Sequence, residues 1–93
     1  MATAHARHIL VKTEEQCKNL IKQLQNGTDF ATLAHKHSEC PSGKQGGDLG
    51  TFHRGQMVAE FDQVVFDEAI GLYPEAVKTD FGYHVIETIS RND

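Results

Sequence analysis

The sequence predicts an α+β domain built on a mostly antiparallel sheet. Three observations lead there. Both halves of the chain contain strand-like runs, "ARHILVK" early and "FGYHVIETIS" late. The helical stripes are grouped between those runs, whereas a parallel sheet would need strand and helix to alternate. The 93 residues suffice for one domain, 1–93, with a single core. A chain of that size buries only about 60–65% of its unfolded surface.

The first strand is read from "ARHILVK", where Ile9 and Val11 point one way and His8 and Leu10 the other. Thr13 followed by Gln16 fits a capping box and opens the first helix. Cys17, Leu20, Ile21 and Leu24 make its apolar stripe, and Gly27 is placed to end it. A second helix is expected from Thr28 or Asp29, with Phe30, Leu33, Ala34 and His37 on its inner face. The glycine-rich stretch from Cys40 to Met57 cannot be regular for long, although "LGTFH" fits a short strand. A third helix is predicted over "QMVAEFDQVVFDEAI", with Met57, Phe61, Val64 and Val65 sharing a face. Gly71 and Pro74 punctuate the segment after it. "EAVKT" then reads as a short strand and "FGYHVIETIS" as the last one. In the latter, Tyr83, Val85, Glu87 and Ile89 alternate with His84, Ile86 and Thr88.

Composition narrows the function classes. An apolar content of 39% is enough for a globule, and a net charge of −4 argues against nucleic acid as the main partner. Membrane-surface binding is equally unsupported. The chain has no run of the roughly eighteen apolar residues that a membrane helix needs. The opening "MATAHARHILVK" is polar and basic where a secretory leader would be apolar. The expected setting is therefore reducing and cytoplasmic, with Cys17 and Cys40 both free.

The chemical candidates separate on physical grounds. "GKQGGDLG" has glycines and a lysine, but it lacks the P-loop spacing and does not join a strand to a helix. His35 and His37 lie on different faces of a helix, His5 and His8 on opposite sides of a strand. No CxxC or HExxH is present, so no metal site is expected. Cys17 sits on an apolar stripe and reads as a core residue. Cys40 stands at a loop edge, where a nucleophile would still need a base and an oxyanion hole that spacing cannot supply. His8 and His84 are more informative. Each is a polar intruder on an apolar strand face, and neighbouring terminal strands would let the two hydrogen-bond as a neutral pair.

"RHILVK", "DFATLAHKHSECPSGKQGGDLGTFHRGQMVAEFDQVVF" and "KTDFGYHVI" together closely resemble the parvulins, a family of peptidyl-prolyl cis/trans isomerases. The resemblance runs from about Arg7 to Ile89. "GGDLG", "GQM…F" and "FGYH" in that order are specific, although no one of them is alone. The resemblance implies a four-stranded antiparallel sheet surrounded by helices, in the order strand, helix, helix, short helix, strand, helix, strand, strand. It implies catalytic positions at His8, Cys40, Thr79 and His84. It implies a proline pocket of Leu49, Met57 and Phe61, with Phe52, Gln56 and Phe81 as neighbouring walls. The implied activity is rotation about X–Pro bonds with no cofactor, on proline-containing peptides and unfolded or nascent proteins, by a monomer without further domains. A chaperone-like binding module with little turnover is the alternative. Glu14 and Glu15 stand in "VKTEEQ", where a phosphate-selective branch needs basic residues, so no phosphate preference is expected. "GLYPEAVKTDFG" departs from the family, which commonly carries Gly-Pro before its apolar residue.

Overall fold

The computed structural model describes residues 2–92. Strand β1 (Thr3–Val11) is followed by helices α1 (Glu14–Gln25) and α2 (Phe30–His37), then a 3-10 turn at Pro41–Gln45. Strand β2 (Asp48–His53), helix α3 (Ala59–Asp67), and strands β3 (Gly71–Leu72), β4 (Val77–Thr79) and β5 (Gly82–Asn92) complete the order. The sheet is antiparallel, with β1 between β2 and β5, and β3 and β4 both pair with β5.

The expected four strand positions are present, but one is divided into β3 and β4. Leu72 lies opposite Glu87 and Val77 opposite His84, so an advance of five residues on one side matches three on the other. The surplus must leave the sheet. Tyr73 makes one last bond, its N–H donating to the Ile86 carbonyl, and the chain arches through Pro74 and Glu75 before returning at Val77. Proline has no N–H to give a ladder, which fits its place in the arch.

Alternation on β1 and β5 gives the sheet two covered faces. Ile9, Val11 and Val85 pack with Cys17, Leu20, Ile21, Phe30, Leu33 and Ala34 of α1 and α2. Ala4, Ala6 and Ile86 pack on the other face with Phe61, Val64, Val65 and Phe66 of α3. The predicted alternation on β5 holds as far as Thr88. His5 pairs with Ser90 and Ala6 with Thr88, so Ile89 is skipped in a bulge and stands exposed.

The helix ends follow from local chemistry. Thr13 Oγ1 accepts from the Gln16 N–H, and Asp29, as N-cap of α2, accepts from the Thr32 N–H. Helix α3 is shorter than its sequence pattern. Gln56 belongs to a turn, its backbone N–H donating to the His53 carbonyl and its side chain accepting from the His53 N–H. At the other end, Arg91 donates to the carbonyls of Val65 and Glu68 and closes the helix.

Candidate active site

The α3 face of the sheet carries the site. Leu10 lies opposite His84 and His8 opposite Ile86, so the two histidines are diagonal neighbours on one face. Their Nδ1 atoms are 2.9 Å apart, with the rings nearly parallel at 17°. His84 Nε2 lies 2.7 Å from Thr79 Oγ1, and His8 Nε2 lies 3.2 Å from Ser42 Oγ. Thr79 Oγ1 accepts from the Phe81 N–H, and His84 Nε2 is the other partner of its hydroxyl among the described residues, so its proton goes there. That fixes the chain: Thr79 donates to His84, His84 Nδ1–H donates to His8, and His8 Nε2–H donates to Ser42. The reverse order would leave the buried Thr79 hydroxyl proton without an acceptor.

Both histidines are held neutral. Burial, reinforced by the neighbouring His84, pushes His8 down to about 4. Burial lowers His84 as well, with Glu60 acting in the opposite direction. Phe61 meets both rings edge-on, 5.5 Å from His8 and 5.8 Å from His84 between centroids. The pair is a hydrogen-bonded, apolar-backed floor.

Above that floor lies a cavity of about 430 Å³, a volume typical of small-ligand sites. Leu49, Met57 and Phe61 line it together, with Cys40 and Phe81 at its margins and His8 and His84 beneath. Seven of the ten residues expected at the site therefore converge. The other three do not line the cavity. Thr79 is buried behind His84, where it orients the ring. Phe52 is a core residue, its ring 6.3 Å from Phe61 and 5.9 Å from Phe66, so it backs the wall without facing the cavity. Gln56 is exposed and spends its side chain on the His53 turn.

Leu10, Glu39, Pro41 and Val58 also line the cavity, although the sequence reading assigns them no role there. Leu10 is legible, because it shares the strand face of His8. The others depend on how the loop is folded back. Ser38 Oγ accepts from the backbone N–H groups of Leu10 and Cys40, and the Glu39 N–H donates to the Leu10 carbonyl. These bonds staple residues 38–40 beside β1. Gly47 completes the edge: its carbonyl accepts from the His8 N–H, and its φ is +86°. A Cβ at Gly47 would stand 2.4 Å from the His8 carbonyl oxygen, so only glycine allows this approach.

A second cavity, of about 440 Å³, lies between α1 and the Pro74–Ala76 arch. Glu14, Lys18, Lys22 and Glu75 line it. Ile21, Pro74 and Ala76 line it as well, but its walls mix charged and apolar groups and it has no histidine floor. Among the described residues no group of three or more His, Cys, Asp or Glu is placed to hold a metal. Cys17 is buried in the α1 face, where burial and nearby Glu14 push its thiol up to about 11. It is chemically quiet.

The model of the PPIC-type PPIase domain matches residues 1–92. The chain belongs to this parvulin-type family of peptidyl-prolyl isomerases. It is 42% identical to the foldase protein PrsA of Geobacillus sp. (strain WCH70) over 95% of its own length and 32% of the relative's. The chain thus spans about a third of the curated relatives it matches. Among solved structures, PrsA from Bacillus anthracis superposes with a TM-score of 0.93 at 36% identity, over 99% of this chain and 43% of that one. NmPin, the parvulin of Nitrosopumilus maritimus, gives a TM-score of 0.84 at 32% identity, over 97% and 98% of the two chains. The parvulin sheet and its flanking helices are those described above.

Proposed function

We propose that this parvulin domain turns X–Pro bonds of proline-containing segments and unfolded proteins in the cavity above His8 and His84, without a covalent intermediate and without a phosphate preference. The observation that carries the reading is the apolar cavity of Leu49, Met57 and Phe61 over a neutral histidine pair.

Amide resonance sets a rotation barrier of about 18–20 kcal/mol. The cis and trans forms at proline differ by only about 0.5–1 kcal/mol, so the need is for speed. Planar amides carry more charge separation than the twisted one. A water-poor pocket that grips the proline ring therefore favours the twisted state over either planar form. No bond must break. Cys40 is half-buried beside the cavity, and its role in this account is that of a polarisable neighbour of the carbonyl. A reducing, cytoplasmic setting, in which Cys17 and Cys40 stay free thiols, is part of this reading.

The test is exchange spectroscopy on an Ala-Pro peptide with wild type, Cys40→Ser and Met57→Ala. The expected outcome is that Cys40→Ser retains a substantial fraction of turnover, while Met57→Ala raises KM. Abolished turnover in a folded Cys40→Ser protein would make the thiol a nucleophile. The same assay on Ser-Pro and its phosphorylated form should show no gain on phosphorylation, because among the described residues no lysine or arginine lines the cavity to receive the added charge. Binding without any exchange would favour the chaperone-like alternative.

A further inference from the structure

Glu39 is the one acidic residue among the described residues lining the proline cavity, and it is exposed at that site. We propose that it selects substrates carrying a lysine or arginine within two residues of the proline, an inference that rests on the cavity being the isomerase site.

Two features make Glu39 suited to that task. Its backbone is fixed, because the Glu39 N–H is bound to the Leu10 carbonyl and Ser38 Oγ holds the N–H groups of Leu10 and Cys40 on either side. The root of the side chain is thus positioned before substrate arrives, which lowers the entropy lost on binding. Its carboxylate is also uncommitted. Among the described residues the side-chain ion pairs are His5–Asp48, Arg7–Glu87, Lys18–Glu14 and Arg54–Asp67, and none uses Glu39. Among those residues no side-chain hydrogen bond engages it either.

The surroundings point the same way. Among the described residues no lysine or arginine lines the cavity, and the two histidines there are held neutral by burial. Glu60 adds negative potential that is felt at His84. A cationic side chain next to the bound proline finds an unpaired carboxylate at the margin of an apolar surface. An anionic one finds repulsion with nothing to offset it. Exposed pairs of this kind change affinity by small factors, so the effect is one of selectivity among proline sites.

The experiment uses peptides with Lys, Ala or Glu placed in turn at each of the two positions before and after the proline. Exchange spectroscopy gives kcat/KM for wild type, Glu39→Gln and Glu39→Lys, and the quantity read is the Lys-to-Glu ratio, so a general loss of activity cancels. The wild-type ratio should reach about three- to tenfold at one position or more. It should shrink at high salt, fall towards one in Glu39→Gln and invert in Glu39→Lys. A ratio near one at every position in wild type, or one unchanged by Glu39→Gln, overturns the assignment. The Ala peptides separate the two readings: if they turn over without charge selection, only Glu39 has been misassigned. If they neither turn over nor perturb the cavity, the isomerase reading itself has failed.

Discussion

His8 and His84 face each other through two nitrogens 2.9 Å apart, a spacing that holds one proton and not two. Their neutrality ties stability to pH. Both are uncharged above the ordinary histidine value of 6.5, in the folded and unfolded chain alike, so their contribution is fully present there. As pH falls below 6.5 the unfolded chain binds protons that His8, held near 4, refuses. Stability is lost across that window and the loss levels off below about 4. For His8 alone it amounts to about 3 kcal/mol at most. Urea denaturation followed by circular dichroism should show wild type losing stability between pH 6.5 and 4 faster than His8→Asn. Parallel curves for the two proteins would contradict a neutral pair. At this scale the sequence carries much of the answer, because strand periodicity alone puts His8 beside Leu10 and His84 beside Ile86. Ser42 is illegible, since its place under His8 depends on the 3-10 turn.

Helix α3 carries Phe61, and Arg91 on β5 holds its C-terminal carbonyls. Replacing Arg91 with alanine should cost about 1–2 kcal/mol in thermal or urea unfolding, because two charged bonds to backbone acceptors are lost. An unchanged midpoint would show that solvent serves those carbonyls equally well. The element boundaries show where local pattern yields to context. Helix α1 is readable throughout, as its cap, stripe and terminating glycine are all local. The start of α3 is harder to read because Gln56 and Met57 fit a helical stripe, yet the His53–Gln56 turn claims the chain first. The division of one strand position into β3 and β4 is a property of the pairing with β5. No periodicity within "GLYPEAVKT" encodes it. The same limit applies to Phe52: strand alternation puts it on a face, and only packing shows that it lies against Phe61 and outside the cavity lining.

Across the whole molecule the sheet divides its labour. One face packs α1 and α2 into a closed apolar core. The other packs α3, and beside Phe61 it opens into the cavity. The Pro74–Ala76 arch does not line that cavity. The central claim is that this opening seats the proline while its preceding amide turns. The most direct measurement is a nuclear magnetic resonance titration with an Ala-Pro peptide, reading side-chain shifts and cis–trans exchange in the same samples. The account predicts that Leu49, Met57, Phe61 and both histidines shift together, and that exchange accelerates with enzyme concentration. Shifts confined to the charged groove between α1 and the arch, or an exchange rate indifferent to the protein, would contradict it.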